Sequence, residues 1–258
     1  MTSHVDALYL PHIAATRARV CSATEALLAR LDADEALLGF LLQYCAMRIG
    51  PLQPIPGWLK AAARMAHAIG HHEVGVELST ASKRETEHRL LLIDDLVAQR
   101  SVWYRRIGPR EFGLQALVHQ RPHADAQRHA ALRQAAAGDP LGMIATELEL
   151  AEFGRVFGPA LVEACHSILG RDAEGCTNFL EARAEDAHQR ASERLHRLDA
   201  LLNEHPRKAG AWSKLAGDVV DSYLDALGSC TERRPGSDAR RPASPRVLDR
   251  PTHASLAW

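Results

Sequence analysis

Four Glu-x-x-His pairs occur in the sequence, whereas its glutamate and histidine contents predict about one by chance. Residues three positions apart lie on one face of a helix, so such a pair can present a carboxylate and an imidazole to one metal ion. A buried pair is therefore a candidate metal site, whereas an exposed pair is an ordinary polar surface. The pairs are Glu85/His88, Glu163/His166, Glu185/His188 and Glu193/His196.

The first pair lies on the apolar stripe of a predicted helix over residues 71–100. Apolar residues recur every three or four positions from Val74 to Leu96, and Glu85 and His88 occupy two positions of this stripe. We therefore expect both side chains to face the core.

A second predicted helix, 173–204, carries further candidates. Its apolar stripe, followed back from Leu202, passes through His188, Glu185 and Glu181, whereas its arginines fall on the opposite face. We therefore expect His188, Glu185 and Glu181 to face the core as well.

The segment 141–169 contributes one more inward carboxylate. Its apolar stripe includes Glu147, and Glu149 is close but one face over. Glu163 falls on a flank of this helix, and Glu193 falls on the polar face of the next one, so their pairs are predicted to be exposed.

Charged side chains on an apolar stripe need a partner, because a buried carboxylate costs several kcal/mol unless it is paired, protonated or bound to metal. Carboxylates and imidazoles from three helices form di-iron or di-manganese sites in helical bundles, and such ligands favour iron or manganese. The predicted metal ligands are Glu85, His88, Glu147, Glu181, Glu185 and His188. Two alternatives remain open: a buried polar network of these acids with arginines or with each other, and an incorrect helical phase.

Glycine and proline divide the chain into the helices that must position these residues. We predict one all-α bundle domain over residues 1–230 and a disordered Arg/Pro-rich tail over 231–258. Within the bundle, residues 105–140 are predicted to be less regular, with helical fragments between Gly108, Pro122 and Gly138. The predicted helices are a first region up to about Leu31, one that begins after Asp32 or Asp34 and ends at Gly50, Trp58 to Ile69, His71 to Arg100, Leu141 to Leu169, a long helix up to Glu204, and Ala209 to Leu227.

Composition excludes several classes of function. The 31 Lys and Arg residues nearly cancel the 32 Asp and Glu residues, which argues against binding to nucleic acid or to a membrane surface. The five cysteines are scattered, and the amino-terminal segment has no signal-peptide pattern, so we expect a soluble cytoplasmic protein.

The order of the motifs resembles that of the heme-oxygenase-like di-iron oxidases and oxygenases, which share their fold with thiaminase II and the pyrroloquinoline quinone synthesis enzyme. The matching segments are PIPGWLKAAARMA (54–66), ETEHRLLLIDDL (85–96), LGMIATELELAEFGRVFGPAL (141–161) and NFLEARAEDAHQRASERL (178–195). The resemblance implies a bundle of about seven helices. It also implies a non-heme di-iron centre that activates O2 on a small-molecule substrate, and it is compatible with a homodimer.

The family's metal ligands correspond to Glu85, His88, Glu147, Glu185 and His188. Two departures concern the rest of the family pattern. Glu181 stands where the family usually has a histidine, and no acid lies between Glu35 and Glu73, where the family has an early carboxylate.

Other functions of the same fold are alternatives. A metal-free member would be a small-molecule binder or a thiaminase II-like catalyst, for which Cys45 is the candidate nucleophile. Heme oxygenase activity would use His12 as the heme ligand, and a ferritin-like bundle would use the same metal ligands in another topology.

Three histidines near a predicted helix junction, and Asp95, two turns after His88 on the predicted 71–100 helix, have simpler interpretations. We expect His67, His71 and His72 to face solvent, because paired histidines at a helix amino terminus are usually exposed. We expect Asp95 to form surface ion pairs.

Overall fold

The computed structural model describes residues 3–49, 54–108 and 123–232. Eight α-helices and no β-strand occur in these ranges. They are α1 (Leu10–Leu28), α2 (Asp34–Ile49), α3 (Ile55–Ala68), α4 (His72–Arg106), α5 (His123–Gly138), α6 (Gly142–Leu169), α7 (Asn178–Glu204) and α8 (Ala209–Glu232). A π-helical turn over Val5–Tyr9 precedes α1, and 3₁₀ turns over Gly170–Ala173 and Pro206–Lys208 flank α7. The prediction of an all-α bundle is confirmed.

The sequence predicts no helix between Gly50 and Trp58, but the last residues of this proline-rich stretch belong to α3. α3 begins at Ile55 rather than at Trp58. Pro54 immediately precedes the helix and Pro56 lies in its first turn, where the missing amide hydrogen of proline has no helical partner to lose.

Two other predicted segments differ in extent. The less regular stretch 105–140 includes the last residues of α4 and all of α5, which lies between Pro122 and Gly138 where a helical fragment is predicted, while residues 109–122 lie outside the described ranges. α8 continues to Glu232, past its predicted end at Leu227 and into the first two residues of the tail predicted over 231–258. The rest of that predicted tail, 233–258, lies outside the described ranges.

α6 occupies the centre of the bundle, where it packs against α1, α7 and α8, while α4 packs against α2, α3 and α7. α2 is buried on all sides, because every residue from Leu37 to Arg48 is buried. A helix that is apolar all round belongs in the interior, and here it carries one arginine into the interior with it. None of the described helices is long and apolar enough to cross a bilayer.

Asp95 of α4 fixes the start of α7. Its carboxylate accepts hydrogen bonds from the backbone N–H groups of Asn178 and Phe179, at 3.0 and 2.9 Å, and from the Asn178 side chain at 2.9 Å. The first N–H groups of a helix have no partner within that helix, so Asp95 caps α7 from a neighbouring element. Asp95 is buried, and the prediction that it forms surface ion pairs is wrong.

Candidate functional site

Glu85 and His88 face the interior from α4, which confirms the helical phase predicted for this segment. Their side chains are 12% and 8% exposed, and His88 Nδ1 lies 3.8 Å from Glu85 Oε1. That distance is too long for a hydrogen bond. Nδ1 is also buried without a hydrogen-bond partner in the described part of the chain.

Glu147 of α6 lines the same small cavity as Glu85 and His88. The cavity volume is ≈ 20 Å³, which is enough for a single water molecule or ion. Glu149 points to another side of α6, where it accepts hydrogen bonds from Arg17 at 2.8 and 2.9 Å and from the Tyr9 hydroxyl at 3.2 Å. Glu147 is therefore the acid of this helix that accompanies the α4 pair.

The other three predicted ligands lie on the outside of α7. Glu181, Glu185 and His188 are exposed, so the prediction that they face the core is wrong. Glu181 accepts a hydrogen bond from the Thr177 hydroxyl, and Glu185 accepts one from the Gln189 side chain of the same helix. The carboxylates of Glu181 and Glu185 therefore accept hydrogen bonds at the surface from residues four positions away in the sequence.

The predicted apolar stripe of α7 and its buried face separate just before Leu198, because the stripe passes through Leu195 whereas the buried face passes through Arg194, four residues before Leu198. The pattern continues to Leu195, but Leu195 is 37% exposed and Arg194 is 4% exposed. The buried face of α7 is therefore rotated toward its arginines, because acids of α4 and α6 lie on that side. Electrostatic pairing, which apolar periodicity does not detect, decides the phase here.

Arginines neutralise the interior acids, and Arg183 and Arg194 of α7 are the ones that reach Glu85 and Glu147. Arg183 forms a hydrogen-bonded ion pair with Glu85. Arg194 lies among three acids: its Nη2 is 3.4 Å from Asp186 Oδ2 and 3.9 Å from Glu147 Oε2, and its Nε is 4.0 Å from Glu77 Oε1. This arrangement is the buried polar network that the sequence left open as an alternative to a metal centre.

These contacts shift the pKa values of the acids in opposite directions. Burial acts to raise the pKa of Glu85. The groups around it, chiefly the Arg183 guanidinium, outweigh this effect and hold the pKa of that carboxyl below its usual value. Burial raises the pKa of Glu147, and Arg194 offsets this only in part. Burial likewise raises the pKa of Glu77. Glu85 is thus held as an anion, whereas Glu77 and Glu147 are easier to protonate.

The described side chains do not fit a di-iron centre. Three of the six predicted ligands share one cavity, and the other three lie on the exposed face of α7. Guanidinium groups already stand beside Glu85 and Glu147, where a metal cation would have to bind. Iron binding stays a prediction, and the geometry favours arginine as the counter-ion.

Arg48 is a different kind of interior cation. It lies on α2, is 3% exposed, and its guanidinium carbon is 5.2, 5.1 and 5.2 Å from the ring centroids of Tyr44, Phe179 and Tyr223. Its Nε is buried without a hydrogen-bond partner, and no carboxylate of the described residues forms an ion pair with it. The negative charge of Glu85 attracts the Arg48 guanidinium without contacting it, and Glu85 is already paired with Arg183.

A cavity of ≈ 20 Å³ adjoins Arg48, and Arg183 lines both this cavity and the acidic one. The lining is otherwise aromatic and apolar, and it includes Gly154 and Gly158 of α6. A methyl group at Gly158 would come within 3.3 Å of the Leu180 carbonyl oxygen, so the glycine permits the close approach of α6 and α7. We call this space the Arg48 pocket.

Cys45 and His12, the candidate residues for thiaminase II-like and heme oxygenase activity, are poorly placed for those roles. Cys45 is buried, it lies 3.3 Å from Gln99 Nε2, and burial raises the pKa of its thiol well above the usual value. A thiol held in this way does not supply a thiolate nucleophile. His12, the candidate heme ligand, is exposed on α1.

Another cavity, of ≈ 130 Å³, lies between α1 and α6. Its charged lining consists of two ion pairs, Arg17 with Glu149 and Arg155 with Glu152. These charges are already matched, so the cavity offers no electrostatic preference for a ligand.

Comparison of the chain with protein-family models, with curated proteins and with solved structures gives no match. The function of the candidate site is therefore inferred from the geometry of its own residues. Sequence reasoning missed Arg48, Arg183 and Arg194, although one signal was present: Arg48 directly follows the long apolar run of α2.

Proposed function

We propose that the protein binds a small monoanion, such as the carboxylate group of a small molecule, in the Arg48 pocket and needs no metal to do so. The observation that carries this proposal is an arginine that is 3% exposed, whose Nε has no hydrogen-bond partner and which forms no ion pair within the described part of the chain. An unpaired buried charge costs several kcal/mol, so an anion that reaches it recovers much of that free energy.

The surroundings of Arg48 define the class of ligand. Arg183 also lines the pocket, but Glu85 neutralises it, which leaves one net positive charge for the ligand. Aromatic rings from α2, α7 and α8 surround the guanidinium, so the remainder of the ligand would contact apolar surface. A cavity of ≈ 20 Å³ holds about one water molecule, so the ligand is limited to a single ion or to little more than a carboxylate group.

The proposal is tested by titrating the full chain with formate, acetate and chloride at constant ionic strength while unfolding is followed by calorimetry. We expect at least one of these anions to raise the melting temperature of the wild type. Arg48→Met should abolish this response. It should also raise the free energy of unfolding in low-anion buffer by at least about 1 kcal/mol, because it removes an unpaired buried charge.

Arg30→Met is the matched control, since Arg30 is exposed on the segment after α1 and its replacement should leave the anion response intact. A destabilised Arg48→Met protein would show that the aromatic rings alone satisfy Arg48, and an anion response that survives this substitution would show that the anion binds elsewhere. A response to chloride without a response to carboxylates would assign the pocket to halide ions.

A metal-dependent oxidase that acts on a small molecule with O2 is the second candidate. It is favoured by one observation: Glu85, His88 and Glu147 line a single cavity, and His88 Nδ1 there has no hydrogen-bond partner in the described residues. Anaerobic loading with Fe(II), followed by metal analysis, separates the two candidates. Stoichiometric iron that is lost in His88→Ala supports the oxidase, and iron-free protein supports the metal-free anion binder.

A further inference from the structure

Three side chains of types that can ligate a metal ion lie close together where α4 begins and α7 ends. His71 lies immediately before α4, Glu204 is the last residue of α7, and His205 follows it. One nitrogen of each imidazole and one Glu204 oxygen lie within 4.8 Å of one another. The sequence indicated only that His71 would face solvent, because the contact with His205 is created by the fold.

Neighbouring contacts hold His205 in place. Its ring packs edge-on against Trp212, with centroids 6.2 Å apart and ring planes at 75°. Trp212 is buried, and its indole N–H donates a hydrogen bond to Asp139 at 2.9 Å. The His71 and His205 rings lie 5.8 Å apart. The cluster is therefore built on the fixed ends of two helices.

Two further observations point to a cationic ligand. The His205 side chain is 39% exposed, but its Nε2 atom is buried and has no hydrogen-bond partner in the described residues, and Glu204 Oε2, at 4.0 Å, is too distant to be one. In the described ranges Glu204 pairs with no lysine or arginine, in contrast to Glu85 and Glu147 of the interior. A metal ion would satisfy both the orphaned nitrogen and the carboxylate.

We propose that His71, Glu204 and His205 bind one divalent transition-metal ion, with zinc as the best match to these donors. Two imidazole nitrogens and one carboxylate oxygen form a three-ligand zinc set that leaves a fourth position open. Ligand atoms around tetrahedral zinc lie about 3.3 Å apart, so small side-chain rotations would close the triad. The ion would join the start of α4 to the end of α7.

The site is tested with Co²⁺, which reports its coordination by visible absorption, added to the full chain without a histidine tag. We expect one Co²⁺ per chain, displaced by Zn²⁺. We also expect quenching of Trp212 fluorescence, because the ring of Trp212 contacts His205. His71→Ala, His205→Ala and Glu204→Gln should each weaken binding at least about tenfold.

The exposed pair Glu185 and His188 supplies matched controls of the same residue types on the same helix. Glu185→Gln and His188→Ala should bind Co²⁺ as the wild type does, and Trp212→Phe should lose the quenching but keep the visible bands. Absence of the bands, or wild-type affinity in His205→Ala, would overturn the proposal. If an alanine variant does not fold, Glu204→Gln gives the same test at an exposed position.

This metal site does not depend on the Arg48 pocket. Arg48→Met should therefore leave Co²⁺ binding unchanged even where it abolishes the response to anions. Loss of Co²⁺ binding in that variant would contradict the proposed separation of the two sites.

Discussion

Glu85 illustrates how a single interior residue is satisfied in this protein. Its carboxylate is nearly buried, His88 lies beside it at a distance too long for a hydrogen bond, and Arg183 supplies the opposite charge. An acid on an apolar stripe needs a cation, but the sequence does not say whether that cation is a metal or a guanidinium. The position of Glu85 was therefore predictable, whereas the identity of its partner was not.

The pairing of Glu85 with Arg183 predicts a pH-dependent stability. The pKa of Glu85 is below its usual value in the folded protein, so its contribution is complete above about pH 4.3 and is lost as the pH falls toward the folded pKa. Glu85→Gln should lower the free energy of unfolding by about 3 kcal/mol at pH 7. The difference between wild type and variant should shrink below about pH 4. Urea unfolding at a series of pH values measures this change.

Glu87→Gln is the control for this experiment, because Glu87 lies two positions later on α4 and is exposed. Its effect on unfolding should stay below about 0.5 kcal/mol at every pH. A deficit of Glu85→Gln that is the same at pH 3 and pH 7 would mean that the ion pair with Arg183 contributes no linked stability.

The helices α4 and α7 show why one helical phase could be read from the sequence and the other could not. On α4 the apolar residues on both sides of Glu85 and His88 fix the buried face, and the structure agrees with it. On α7 the choice between Leu195 and Arg194 depends on what the neighbouring helices present. Acids of α4 and α6 face this side, so the arginine is buried and the leucine is left half-exposed.

The start of α7 depends on a single acid from another helix, and this gives a local prediction. Asp95→Asn should lower the free energy of unfolding by about 1–2 kcal/mol, because an amide replaces the carboxylate that accepts from the first N–H groups of α7. Hydrogen exchange should accelerate at Asn178 and Phe179 before it does elsewhere in the helix.

Asp94→Asn, at the exposed neighbouring position, should change neither stability nor exchange at the start of α7. If Asp95→Asn accelerates exchange uniformly along α7, the acid acts on the packing of the whole helix rather than as a cap.

Across the bundle, charged contacts join helices that apolar packing already brings together. Arg17 of α1 binds Glu149 of α6, and the network around Arg194 joins α7 to α4 and α6. The sequence indicated the helices and the single bundle, because glycine, proline and apolar periodicity are local signals. It did not indicate these pairings, since each one unites residues that are far apart in the chain.

Because Arg194 serves acids from three helices, its removal should affect the stability of the whole molecule. Arg194→Met removes the ion-pair partner of Glu147, whereas Glu77 keeps Arg197 and Asp186 keeps Arg84 and Arg190. It should lower the free energy of unfolding by about 3 kcal/mol at pH 7. The folded pKa values of Glu77 and Glu147 are already raised, and loss of the arginine should raise them further. The deficit should therefore be smallest near pH 4 and should grow as the pH rises.

A second substitution separates this electrostatic effect from a loss of packing. Glu147→Gln added to Arg194→Met should recover part of the stability at pH 7, because it removes one of the acids left without a cation. Arg190→Met is the control, since Arg190 is more exposed and pairs with Asp186 alone among the interior acids of this network. If the double variant is as unstable as Arg194→Met at every pH, the aliphatic stem of Arg194 stabilises the bundle rather than its charge.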